Sequence, residues 1–223
     1  MRLWAFIFWV VFRSNFIRYR SVVISLKGAI MRVYAIVAHS KKESMNGHFF
    51  YQVVSHMKSE GHVVDVLDLY DRADQIPFFG KHVIGGTQRD PICHPFFIEN
   101  KERFMAADRL FIEHPIYWYS VPGILKTWMD LLTNFAWKYE GGLHAKPLHK
   151  IKKTLVVNSS SAPLFYRKYL TSNPAKVQLR ETFKFIGIPE SKFYEIGSVT
   201  SLTLQDGQRH VEKINEKTHW LCS

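Results

Sequence analysis

The sequence predicts one α/β domain with a doubly wound parallel sheet, on three observations. Short runs of aliphatic and β-branched residues alternate with longer stretches of helical spacing, five times between residue 32 and residue 221. The short runs are apolar almost throughout, as strands covered by helices on both faces must be. Glycine or proline marks several of the helix ends. Right-handed crossovers turn such an alternation into a single sheet with helices on both sides.

The elements follow in order. Residues 32–38 (RVYAIVA) read as the first strand, and 46–59 as a helix with Phe49, Phe50, Val53, Val54 and Met57 on one side and Gly61 just past its end. Residues 62–69 (HVVDVLDL) form the second strand. Residues 70–94 are irregular, with Pro77, Gly80, Gly85, Gly86 and Pro91, a length typical of a functional loop such as a lid. A helix over 95–107 leads to the third strand, 109–113, which ends at His114-Pro115. Residues 122–135 are helical, with Pro122 in the first turn and Ser120 as the cap. The fourth strand is 154–157, then a helix over 175–186 closed by Gly187 and Pro189, the fifth strand 193–199, and a last helix over 206–221.

The chain has 223 residues, 47% hydrophobic and 22% charged, enough for a large core without staples. Its two cysteines, Cys93 and Cys222, exclude a disulfide scaffold, a CxxC dithiol and a four-cysteine zinc site, and point to a cytoplasmic location. No metal site is expected. The formal charge of +11 suggests anionic partners, but Arg2, Arg13, Arg18, Arg20 and Lys27 lie in the first thirty residues, which hold no acid. Residues 31–223 carry only +6, 25 bases against 19 acids. Their one dense basic cluster, Lys146, Lys150, Lys152 and Lys153, reads as a solvated surface, so nucleic acid is not an expected partner.

Residues 1–30 read as an N-terminal extension to a domain spanning 31–223, either a poorly ordered tail or an over-read start. The apolar run 3–12 is too short to span a bilayer, and its charge follows rather than precedes it, unlike a signal peptide. Mixed aromatic and basic residues leave a weak membrane-surface contact as the alternative.

Ligands of open α/β sheets bind beyond the carboxyl ends of the strands, at the switch point. That selects three loops. The first, 39–46 (HSKKESMN), runs into a helix, where backbone N–H groups and the helix dipole suit an anion, although Ser44 or Asn46 alone reads equally as a cap. It contains neither a GxGxxG nor a P-loop. The second carries Tyr117, Trp118 and Tyr119 together past a strand end, suited to a planar ring or to filling core space. The third, 158–166 (NSSSAPLFY), is small and hydroxylic and allows close backbone approach.

Residues 114–139, HPIYWYSVPGILKTWMDLLTNFAWKY, resemble the signature of the NAD(P)H:quinone oxidoreductase family with a flavodoxin-like fold. Pro115, Trp118, Tyr119, Pro122, Leu125, Lys126, Trp128, Asp130 and the later Phe135-Ala136-Trp137 match its pattern, as do AHSKKESMN and DLY earlier in the chain. The resemblance implies a five-stranded sheet in the order 2-1-3-4-5. It implies a non-covalent flavin, FAD first and FMN as the alternative, with NAD(P)H as cosubstrate and a quinone-type acceptor. His39, Ser44, Met45 and Asn46 match residues on the flavin's phosphate side. Pro115, Ile116, Trp118 and Tyr119 match those at the ring, with Tyr117 beside them, and Asn158, Ser159, Ser160 and Ser161 match those at the pyrimidine edge. Tyr166 matches a catalytic tyrosine that helps stabilise the reduced cofactor.

The chain departs from animal quinone reductases in carrying Asn158 to Ser161 in place of Thr-Thr-Gly-Gly. It has Thr171 and Ser172 where those enzymes place a histidine, so a Tyr–His relay is not carried over. The resemblance further implies a homodimer, supported by the apolar and aromatic residues of the 122–135 helix and the 136–139 segment, which exceed what one core needs, and two-electron ping-pong transfer in one shared pocket. Two other roles fit the same resemblance. One is a regulatory flavoprotein subunit of a potassium-efflux transporter; the other is a flavodoxin-type electron carrier, which the basic charge argues against.

Overall fold

In a computed structural model, residues 29–77, 94–132, 135–141 and 145–223 are described. Five strands, β1 (Arg32–Val37), β2 (Val63–Asp68), β3 (Arg109–Pro115), β6 (Lys153–Ser159) and β7 (Glu190–Ile196), form one parallel sheet in the order β2-β1-β3-β6-β7. This is the expected order 2-1-3-4-5 counted over the sheet strands alone. An additional antiparallel pair, β4 (Trp137–Tyr139) and β5 (Ala145–Pro147), follows the third strand's helix. The sequence reading contained no such hairpin, because two three-residue strands are too short for any periodicity to register.

Helices α1 (Met45–Ser59) and α5 (Leu204–Cys222) cover one face of the sheet. Helices α2 (Pro95–Ala106), α3 (Gly123–Leu132) and α4 (Pro174–Phe185) cover the other. Side chains of each strand alternate between two separate cores. In β1, Val33, Ala35 and Val37 join the α1–α5 core, and Tyr34 and Ile36 join the α2–α4 core. A polar hub is satisfied inside the second core. Tyr34 Oη donates to Asn100 Oδ1 at 2.6 Å and Trp128 Nε1 donates to the same oxygen at 3.2 Å, while Asn100 Nδ2 donates to the Phe96 carbonyl at 2.8 Å.

Several boundaries move. β3 runs on to Pro115, whose missing N–H is harmless because β1 pairs with β3 no further than Glu113. β7 starts three residues earlier than expected and ends at Ile196. A π-helical turn over Tyr166–Leu170 was not expected. Ser120 does not cap α3: its hydroxyl contacts Gln178 at 3.4 Å, and the helix begins at Gly123.

Leu125, Trp128, Leu131 and Leu132, the face taken to support a dimer, are buried inside this chain's own core. The four-residue basic cluster is largely engaged locally: Lys146 pairs with Glu140, Lys150 with Asp108, and Lys153 donates to the carbonyls of Trp220 and Ser223. Among the described residues no helix is long and apolar enough to cross a membrane, and no group of His, Cys, Asp or Glu could hold a metal. The extension through residue 28, and residues 78–93 of the lid-like loop, lie outside the described residues.

Candidate functional site

The carboxyl ends of β1, β3, β6 and β7 bring the three loops together, with direct bonds between them. Ser159 Oγ donates to Asn46 Oδ1 at 2.8 Å, joining the first loop to the third. The Ile116 amide donates to the Ser159 carbonyl at 2.7 Å, joining the second to the third. Tyr119 Oη and Tyr166 Oη lie 3.1 Å apart across the mouth. That hydrogen bond is the main reason the Tyr119 phenol titrates above its ordinary range.

In the first loop Ser44 caps α1, its Oγ accepting from the Gly47 amide at 3.2 Å and donating to the Lys41 carbonyl at 2.7 Å. His39 is held to the same turn, with Nδ1 3.0 Å from Ser44 Oγ. Lys42 pairs with Asp71. The loop folds tightly over Gly47, where a Cβ would fall 1.9 Å from the Lys42 carbonyl oxygen. The amides of Met45 and Asn46, in the first turn, have no intrahelical acceptor. The Met45 side chain turns away from them, packing on Gly207 of α5 at 2.8 Å from where a Cβ would stand.

The second loop is a tight reversal. Tyr117 and Ser120 exchange two backbone hydrogen bonds of 3.0 Å each. The residues between them, Trp118 and Tyr119, have φ of 48° and 64°. Turns with two positive-φ centres normally recruit glycine, asparagine or aspartate. A side chain in that region costs roughly 1–2 kcal/mol. Trp118 is 94% exposed, and Tyr117 and Tyr119 are exposed as well, so core packing does not hold them there.

Of the four residues Asn158 to Ser161 that open the third loop, only Ser161 is exposed. Asn158 is fully buried and Ser159 and Ser160 nearly so. The Ser160 amide donates to the Ile196 carbonyl at 2.9 Å and so is not available to a ligand. The loop rests on Gly197, where a Cβ would lie 2.5 Å from the Leu164 nitrogen.

Beneath the loops lie two polar layers that the sequence reading missed, one on each face of the sheet. On the α1–α5 side, Glu113 is buried beside Asn46, and both its oxygens and Asn46 Nδ2 lack a hydrogen-bond partner. Burial lifts the Glu113 carboxyl well above its ordinary range, opposed in part by Asn46, so the neutral acid is favoured. On the α2–α4 side, His114, Asn158 and Glu195 stand at one register level across β3, β6 and β7. Arg167, from the π-helical turn, donates to Asn158 Oδ1 at 2.7 Å, Glu195 Oε1 at 2.7 Å and Ser160 Oγ at 3.0 Å. Lys176 and Asn173 complete the shell around Glu195. Burial alone would raise the Glu195 carboxyl; Asn173, Lys176 and Arg167 outweigh it and hold the group below its ordinary range. His114 is pushed down to about 4 by burial, helped by the Arg167 charge, and is therefore neutral. Its Nδ1 donates to the Pro115 carbonyl at 2.8 Å. Two signals for these layers were in the sequence: an acid within the apolar run of the third strand, and another in the fifth.

The flavodoxin-like fold family matches residues 31–218. The chain belongs to that family. An FMN-dependent NADH:quinone oxidoreductase from Bradyrhizobium diazoefficiens is 30% identical over 150 residues, 61% of this chain and 71% of the relative. Ribosyldihydronicotinamide dehydrogenase (quinone) from Mus musculus is 30% identical over 128 residues, 49% of this chain and 55% of that one. The match thus spans little more than half the length of the mouse relative. An NAD(P)H:quinone oxidoreductase structure from Methanothermobacter marburgensis superposes with a TM-score of 0.72, covering 84% of this chain and 94% of that one at 20% identity, which shows the shared fold. The expected likeness to quinone oxidoreductases therefore holds in sequence and in topology.

Proposed function

We propose that the protein is a flavin-dependent NAD(P)H:quinone oxidoreductase. The observation that carries this reading is the turn at 117–120, where two aromatic residues occupy a costly backbone conformation and present their rings to solvent. Strain of this kind gathers at ligand clamps. A planar ring lying on Trp118 and Tyr119 would account for it.

The remaining residues fit the same group. The free first-turn amides of Met45 and Asn46, at the positive end of α1, suit a phosphate. Ile116, Trp118 and Tyr119 would cover the ring and exclude water. Exposed Ser161 and the Tyr166 hydroxyl would hydrogen-bond its polar edge, with Tyr119 orienting Tyr166. A bound flavin supplies reversible two-electron chemistry between NAD(P)H and a quinone. Use of one aromatic pocket by both substrates in turn gives ping-pong kinetics. FMN is favoured over FAD, because the relatives whose names specify a flavin specify FMN. The homodimer rests on the family resemblance and on exposed Tyr139 of the 136–139 segment, since the α3 face that also suggested it is interior.

The test is to purify the protein, identify the released cofactor by mass spectrometry, and follow NADH and NADPH oxidation with menadione. A colourless protein that takes up neither FMN nor FAD would overturn the reading.

A further inference from the structure

Arg167 is nearly fully buried, as is the Glu195 carboxylate it meets. Its two terminal nitrogens are divided between the sheet and the third loop: Nη2 holds Asn158 Oδ1 and Glu195 Oε1, and Nη1 holds Ser160 Oγ. Its backbone is tied just as closely. The Arg167 carbonyl accepts from the Asn173 amide at 3.1 Å and from Thr171 Oγ1 at 3.0 Å, and its amide donates to the Pro163 carbonyl at 3.3 Å. One residue thus fixes both the Ser160 loop and the turn that carries Tyr166. Arg167 Nε and Asn158 Nδ2 are buried beside these bonds and have no partner.

The charge arrangement has a direction. Glu195 also meets Lys176 at 3.2 Å, on the side towards α4, and Asn173 from the residue before that helix. Two cations therefore face one carboxylate. The acid is answered from the α4 side, while the guanidinium lies under the loop. His114, at the same level, is neutral and adds no charge. A buried charge keeps its influence at short range because little water screens it.

We propose that Arg167 is a positioning residue whose buried positive charge, held under the Ser160–Ser161 loop by Glu195, favours the more negative, reduced form of a flavin bound there. This rests on the flavin reading above. Arg167 acts through the loop and is not itself a catalytic residue.

The test compares the affinity of the purified protein for oxidised and reduced FMN, or equivalently the midpoint potential of the bound cofactor, in wild type and three variants. Arg167→Met should weaken reduced FMN about tenfold more than oxidised FMN, a fall of about 30 mV for a two-electron couple. Arg167→Lys keeps the charge without the fork and should recover most of that shift while still weakening both forms. Glu195→Gln keeps a hydrogen-bond acceptor for Arg167 but removes the countercharge, so the shift should reverse sign. It leaves no unpaired carboxylate, and carries the test if Arg167→Met fails to fold. A purely structural Arg167 would lower both affinities equally in every variant and leave the potential unchanged, which would overturn the proposal. Shifts of the same sign in Arg167→Met and Glu195→Gln would also overturn it. A wild type that binds no flavin overturns the functional reading and this proposal with it; one that binds flavin at a potential indifferent to these variants overturns the proposal alone.

Discussion

Trp118→Ala separates a ligand clamp from a packing residue. The side chain is 94% exposed, so truncation uncovers almost no buried area. Apo-protein stability should change by no more than about 0.5 kcal/mol. The same change at Trp128, which is 1% exposed, should cost about 3–5 kcal/mol. Stacking of a planar ring on an aromatic side chain contributes about 1–3 kcal/mol, which is about 5- to 150-fold in Kd. Trp118→Ala should therefore weaken flavin binding by that range while leaving the apo denaturation curve in place. Trp118→Gly sharpens the argument. At φ 48° glycine escapes the penalty a side chain incurs, so the apo-protein should become about 1 kcal/mol more stable even as flavin affinity falls. The assays are urea melts of the apo-proteins and fluorescence titration with FMN. Unchanged flavin affinity together with a loss of about 2 kcal/mol or more in Trp118→Ala would refute the reasoning.

Glu113→Gln should stabilise the protein increasingly as pH rises. The folded state holds this carboxyl above its unfolded value, so ionisation opposes folding by up to about 1.4 kcal/mol per pH unit between the two values, and the variant escapes that loss; urea melts across a pH series should show the gap closing towards acid, and a pH-independent gap would contradict it. Gly197→Ala should push the third loop off β7, because the new Cβ meets backbone at 2.5 Å; a loss of about 1–3 kcal/mol in thermal stability, with weaker FMN binding, is expected. Tyr166→Phe should return the Tyr119 phenol towards its ordinary titration range without altering stability by more than about 0.5 kcal/mol, as followed by ultraviolet absorbance against pH.

Much of this protein was legible in its sequence. Alternation of apolar runs and helical stretches determined the fold class, because a parallel strand must be apolar on both faces and a helix on one. The rule that ligands sit past strand ends selected the loops at 39–46, 115–121 and 158–166, and the matches from Pro115 to Asp130 pointed to a ring-binding mouth. The tertiary structure decided which members of those loops face a ligand. Trp118 and Trp128 are the same residue ten positions apart. One stands on a positive-φ turn in solvent; the other lies at the centre of a core beside Asn100. Ser160 and Ser161 are neighbours of one type, yet the first has its amide and hydroxyl bonded inside and the second is free at the tip. Glu113 left only the trace of an acid in an apolar strand, and Arg167 left none, because burial of a charge depends on which side chains meet it. Register alone brings Glu195, 28 positions from Arg167, beneath the same loop. Local pattern determines an element's type and buried face, since those depend on near neighbours; the partner of a buried polar group comes from distant chain, and only the packed sheet brings it there.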